Sequence, residues 1–510
     1  MIQDFLSRPL VFFASLALLG LATLGLLVLA PAAALLPVVL VVGGWWVCQQ
    51  KIRTLTLGIF AMAVTVDLVT EVPYEGHWQS PMYFPGLLLF TKPGMSLPLI
   101  DLATVGLLGL NAYRRAMGIT IDGPPTPPLP KPLVFALMAQ TATILWLQVW
   151  GIYINGGNST VAKWQWHQML MLPLLVALFN VALRGPEDFR TIGRIIIAGC
   201  FTKAFLGAFF ILTIARPRGL YHEYATTHSD TVLYVAGLTT VIMSWMEEPI
   251  RKHFWRMVGV CSVILMGMHY NDRRLAYVSF TFALIAAYVV SPWHWVKRYA
   301  TRAGLVLAPL FPFYLAIGWA NPTGIFGIVG IFKSLVEGEN LQKGQMDYRD
   351  IENLDVVYTW EQSPIMGTGW GHPFLEKIAL PDISHAFADY LYHPHNSVLG
   401  MLAFGGIIGF SGLWAWISIS MFLSVRAYHR AHAPVARAGG LVAMSVIVAY
   451  TNQCFGDMGT ISWLGTVLVA MAATCAGKLA TVTNAWPAPQ ALRNELSEPE
   501  RTASPVGNLV

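Results

Sequence analysis

Two histidines and an asparagine, His393, His395 and Asn396, open the stretch YHPHNSVLGMLAFGGIIGF, directly before a long apolar run. Imidazole titrates near neutrality, so a histidine at such a boundary is suited to take a proton from an attacking hydroxyl. On residue type alone either ring qualifies. Arginines recur in three other segments: Arg216 and Arg218 in ARPRGLYHEY, Arg273 and Arg274 in HYNDRRLAY, and Arg349 in DYRDIENLDVVYTWEQSPIMGTGWG. A guanidinium stays charged and offers phosphate a two-pronged hydrogen bond. The competing reading is that these arginines hold lipid headgroups or pair with Asp272, Asp347 and Asp350.

What positions them is a chain built for lipid. Of its 510 residues 55% are hydrophobic and 12% charged, with a mean hydropathy of +0.56. A soluble domain carries roughly 25% charged residues, so an assembly of soluble domains is excluded. The net charge of +5 reflects basic loops and gives no sign of nucleic acid binding. No CxxC pair occurs, and Cys48, Cys200, Cys261 and Cys475 sit in apolar stretches as buried thiols.

A crossing helix needs about 20 apolar residues. The chain reads as an all-α polytopic membrane protein of about 12–14 spans, starting near Leu10–Ala30, which is read as a retained span. About eleven spans are expected within 1–320, a long segment over 321–394, about three spans within 395–480, and a disordered tail over 481–510. The last expected spans are Leu305–Trp319, Ser397–Ser424, Ala438–Tyr450 and Ser462–Gly477. Alternate loops carry the basic residues, for example Arg251, Lys252 and Arg256, then Lys297, Arg298 and Arg302. The positive-inside rule therefore puts both termini in the cytoplasm. It also puts the three arginine segments outside, on the side of His395.

Within the long segment, Ile351, Leu354, Val357 and Tyr358 have helical spacing, and Pro364 ends that helix. GTGWG, residues 367–371, reads as a flexible or tightly turned stretch, whose glycines either make a turn or let backbone approach a ligand. His222, Glu223, His228 and Asp230 resemble a metal cluster only superficially, because HExxH requires His where Thr226 stands. Neither a metal nor a cofactor is expected. Lys203 and Asp67 fall inside expected spans and are read as lining a polar cavity or facing a helix partner.

These residues form a pattern. HPHNSVLGMLAFGGIIGF is similar to the His-Asn-x-x-Leu…Gly-x-x-Gly segment of the O-antigen ligase and O-antigen polymerase superfamily, and YRDIENLDVVYTWEQSPIMGTGWG resembles its upstream Arg…Trp…His-Pro-x-x-Gly-x-Gly segment. Ser363 stands where that family often has His. NDRRLAYVSF is similar to its Ser-Arg-Gly segment, with Asp272 and Arg274 replacing Ser and Gly and Arg273 keeping the arginine. The resemblance covers roughly residues 216–458.

It implies a metal-independent transferase of the bacterial inner membrane with its chemistry at the periplasmic face. The donor would be a glycan on undecaprenyl pyrophosphate. The acceptor would be a hydroxyl of lipid A–core, of a second glycan, or of a protein. On that reading His395 is the base, with Arg273 and Arg349 catalytic. Arg216, Arg218, Arg274, His393, Asn396, Tyr221 and His222 would contact substrate, and Tyr224 would join Tyr221 and His222 on carbohydrate. A polytopic transporter or a non-enzymatic component of a polysaccharide export system is the alternative. No convincing internal repeat supports a transporter.

Overall fold

A computed structural model describes residues 36–65, 97–219, 225–227, 229–271, 273–323, 326–327, 329–330, 333, 348–384 and 389–486. The expected span at Leu10–Ala30, the tail beyond 486, Asp67, Tyr221, His222, Tyr224, Asp272 and Asp347 lie outside these residues, while the first residues of the expected disordered tail are ordered, with the last helix running to Val482. Fifteen helices and no strand occur among the described residues, as an all-α membrane protein requires. In chain order they are α1 Leu36–Gln49, α2 Ile52–Thr65, α3 Leu99–Ala116, α4 Lys131–Gln148, α5 Ser159–Ala182, α6 Pro186–Phe210 and α7 Asp230–Glu247. Then follow α8 Arg251–Tyr270, α9 Arg274–Val290, α10 Trp295–Leu307, α11 Phe311–Ala320, α12 Tyr348–Gln362, α13 Ser397–Arg430, α14 Pro434–Gly456 and α15 Trp463–Val482.

The sequence of α15, WLGTVLVAMAATCAGKLATV, has small or apolar residues on every face. Such a helix has no side to show to water, and α15 is buried almost end to end at the centre of the bundle. Helices α5, α7, α13 and α14 pack around it, α9 lies on α14, and α6 joins α2, α7 and α8. Lys478 at the far end of α15 is held by the carbonyl oxygens of Pro127 and Asn180. Lys203 on α6 forms a fully buried ion pair with Asp230 at 2.7 Å.

Five described helical segments are long and apolar enough to cross a membrane: 131–154, 186–218, α13, α14 and α15. A sixth is α9 with α10, if that pair, bent by 116°, counts as one span. The expected span at Leu305–Trp319 is divided instead. α10 ends at Leu307 and the ten-residue α11 begins at Phe311. Pro309 between them has no N–H to continue the helical hydrogen bonds, so the helix ends there although Ala308 keeps helical backbone angles.

α13 is the longest of the described helices and is broken inside. Gly406 has φ 58° and ψ −167°, and the helix resumes at an angle beyond it. Such a break frees backbone groups that lipid cannot satisfy. The segment after α12 supplies their partners. Thr368 and Gly369 donate to the carbonyls of Ala403 and Phe404 at 3.1 and 2.8 Å, while Ile407 and Ile408 donate to those of Pro364 and Ile365 at 2.9 and 3.2 Å. A Cβ on Gly406 would stand 2.3 Å from the Ile365 oxygen, so only glycine fits.

Candidate active site

The GTGWG stretch is a turn, with Gly367, Gly369 and Gly371 all at positive φ. It turns against other backbone. A Cβ on Gly369 would meet Gly151 Cα at 2.4 Å, where α4 runs into the π-helical turn Val149–Ile154. Trp150 Nε1 donates to the Gly367 carbonyl at 3.0 Å, and Gln165 of α5 accepts from Gly371 N and donates to the Tyr392 carbonyl. The loop ahead of His393 is thereby anchored to α4, α5 and α13 together.

α12 anchors the rest. Its fully buried positions are Glu352, Asp355, Val356 and Thr359. The apolar stripe of Ile351, Leu354, Val357 and Tyr358 is only half-buried. The spacing located the helix, but its polar face is turned fully inward. Loop backbone is the reason: Asp355 Oδ1 accepts from the N–H groups of Lys377 and Ile378 at 2.8 and 3.0 Å, and Thr359 Oγ1 from that of Leu375 at 2.7 Å.

The fourth buried side chain of that face is Glu352, and it meets His395. The carboxylate accepts from the His395 backbone N at 3.0 Å and lies 3.0 and 3.1 Å from Nδ1. Glu352 is 1% exposed and His395 23%. A buried carboxylate on Nδ1 fixes that nitrogen as the N–H and leaves the Nε2 lone pair free to accept a proton. The Tyr348 ring lies edge-on at 6.0 Å. Burial and the nearby Glu352 charge raise the Tyr348 phenol well above its ordinary pKa, so the ring remains neutral.

His393 sits differently. It is 7% exposed, with Nδ1 3.2 Å from the Asp389 carbonyl, and lines a small void of about 30 Å³ beside Gln165, Trp370 and Met458. Burial lowers its pKa. Asn396 caps α13, its side chain accepting from Leu399 N at 3.1 Å.

Arg349 meets the turn between α14 and α15. Gly456 ends α14, and Asp457, Met458 and Gly459 lead to α15. Met458 donates to the His395 carbonyl at 2.7 Å and is held at φ 47°, a region that costs a non-glycine residue about 1–2 kcal/mol. Arg349 of α12 donates to the Gly456 carbonyl at 2.9 Å and stands 4.0 Å from Asp457 Oδ1. Leu275 packs over Gly456, whose added Cβ would fall 2.8 Å from Leu275 Cδ1. Arg273, at the N-cap of α9, and Arg274 therefore reach this end of the bundle.

Asn271, just before them, bonds Thr226 N and the Thr227 carbonyl. Arg216 stacks over Tyr270 at 5.3 Å, and Arg218 follows it in the same short turn. Arg349 thus contacts the α14–α15 turn itself, Arg273 and Arg274 precede the Leu275 that packs on it, and Arg216 contacts Tyr270 at the end of α8. Lys203 and Asp230 stabilise the same loop from beneath, since Asp230 Oδ2 accepts from Thr227 N at 3.1 Å.

Glu352 escaped the sequence reading. It lies 43 positions before His395, and an acidic residue in a polar helix carries no local mark of that partnership. Asp101 and His167, paired at 2.6 Å inside the bundle, escaped it for the same reason.

A multi-pass helical membrane protein with a carboxylate-held histidine at the mouth of a broken helix, beside a turn that an arginine holds, is the class that this geometry defines. Residues 259–414 match a family model described as O-antigen ligase, in agreement with the motifs in the sequence. The matched stretch holds Arg273, Arg274, Arg349, Glu352, His393, His395 and Asn396. It supports glycan transfer of the ligase or polymerase type. No curated protein matches the chain.

Proposed function

We propose that the protein transfers a glycan from undecaprenyl pyrophosphate to an acceptor hydroxyl at the periplasmic face of the bacterial inner membrane, without a metal. The Glu352–His395 pair carries this reading. His395 Nε2 takes the proton as the acceptor oxygen attacks the anomeric carbon. The bond from that carbon to the pyrophosphate oxygen breaks, and its electron pair leaves with the lipid pyrophosphate. Glu352 keeps the ring oriented and carries the charge opposite to the imidazolium that forms.

Arg273 and Arg349 meet the charge that grows on the leaving oxygens. Fixed donors of this kind supply several kcal/mol of barrier reduction. Arg216, Arg218 and Arg274 hold the remaining phosphate oxygens, and Tyr221 and His222 contact sugar. His393, buried and neutral, supports the loop beside the base. Both termini are cytoplasmic and 321–394 is periplasmic.

The test is glycan transfer from the purified lipid-linked donor. His395→Ala is expected to lose about a hundred- to ten-thousandfold in rate while inserting at normal levels. A near wild-type rate would assign the base elsewhere. An alkaline phosphatase fusion after Ser384 is expected to be active and one at the C-terminus inactive. The reverse pattern would overturn the orientation.

A further inference from the structure

At the opposite end of α14 from the Gly456 turn, a cavity of about 390 Å³ opens between α6, α7, α8, α14 and α15. That volume lies in the range of ligand pockets, roughly 300–1,000 Å³. Its deep wall is aliphatic, made by Ile196, Val442, Val446, Leu468 and Met471. Small residues leave the room: Gly193, Ala438, Ala443 and Ala472 line it where larger side chains would fill it.

The rim has the opposite character. Arg190 and Arg194 stand one turn apart on α6, and Lys252 and Arg256 one turn apart on the adjoining α8. Among the described residues none of these four has an ion-pair partner. The carboxylate of the lining, Glu248, stands 3.9 Å from His253. Trp255, beside Arg256, is 59% exposed, and Trp293 at the α9–α10 bend is 62% exposed. Exposed tryptophans of membrane helices mark the level where headgroups meet hydrocarbon.

An aliphatic slot behind four cations, set at that level, matches a molecule with an anionic phosphate at one end and hydrocarbon at the other. Free phosphate would leave the aliphatic wall unused, and a zwitterionic lipid would bring its own cation to a cationic rim. Basic pockets between membrane helices hold anionic headgroups in this way. We propose that this cavity is a binding site for an anionic phospholipid of the adjacent leaflet. Its phosphate is clamped by Arg190, Arg194, Lys252 and Arg256, and an acyl chain lies between α6 and α14. The site is separate from the His395 chemistry and does not depend on it.

Native mass spectrometry of the delipidated full chain, titrated with phosphatidylglycerol, phosphatidylcholine and soluble glycerol phosphate, tests this. Phosphatidylglycerol is expected to bind at least tenfold tighter than phosphatidylcholine, and glycerol phosphate not to bind. Each cation near a headgroup is worth roughly a fivefold factor. Arg194→Ala with Arg256→Ala, both on the exposed rim, is therefore expected to weaken phosphatidylglycerol about 25-fold. Val442→Phe, which plugs the slot and leaves the rim intact, is expected to lose the lipid as well. Equal binding of the two lipids, or wild-type affinity in either variant, would overturn the proposal. So would glycerol phosphate binding as tightly as phosphatidylglycerol, since the slot would then hold no chain.

Discussion

Glu352 and His395 share two contacts, one through the imidazole Nδ1 and one through the histidine's own backbone N–H. One carboxylate therefore fixes both the ring and the chain that carries it. Glu352→Gln keeps the size of the side chain but can present an N–H where Nδ1 needs an acceptor. The rate of glycan transfer is expected to fall about a hundred- to ten-thousandfold, with the protein still folded and the donor KM little changed. An unchanged rate would reduce Glu352 to a structural bond.

Arg349 tests the role of the guanidinium. Its bond to the Gly456 carbonyl is half-exposed, so its contribution to stability is below about 1 kcal/mol. Arg349→Ala and Arg349→Lys are both expected to preserve the melting temperature and to cut transfer at least tenfold, because lysine lacks the fork. Full activity of the lysine variant in a complementation assay would argue against a phosphate clamp.

Gly406 cannot carry a side chain without moving the Ile365 carbonyl. Gly406→Ala adds that overlap to a positive φ and is expected to cost about 3 kcal/mol or more. The measurement is the melting temperature in detergent, with Gly409→Ala as the control, where an added Cβ meets only Leu147 side-chain atoms at 3.3 Å or more. Equal melting temperatures would remove the steric argument.

His393 makes stability depend on pH. Burial lowers its folded pKa below the ordinary 6.5. Above that value both states are neutral at this site and it contributes no slope. As pH falls below about 6.5 the unfolded chain binds a proton that the folded one refuses, so stability declines. Melting curves between pH 7.5 and about 5 are expected to show a shallower decline for His393→Gln than for wild type. Parallel curves would place the titration elsewhere.

How much of this was legible follows from the range of the interactions. The apolar runs at α13, α14 and α15 declare themselves because each buries or faces lipid along its whole length. The His395 and arginine segments were legible as types at the mouths of those runs. What joins them was not. The Arg349–Gly456, Met458–His395 and Glu352–His395 contacts link residues tens to more than a hundred positions apart. α12 shows the limit most clearly. Its apolar stripe located the helix, yet the side it buries completely is the polar one, because loop amides waited there for Asp355 and Thr359. The Pro309 break in the expected span at Leu305–Trp319 is the converse, a single residue whose local effect outweighed the hydropathy around it.

The break in α13 has a consequence for how the protein is assembled. Four of its backbone groups find their partners in residues 364–369, and each left open in a bilayer would cost several kcal/mol. α13 is therefore incomplete until a segment made earlier has come back to seal it. Helix and loop mature as one cooperative unit, and His395, lying between them in sequence, reaches its place in the same step. An intermediate with α13 inserted but the loop undocked would be both unstable and inactive, so the scaffold and the candidate base share a single quality check.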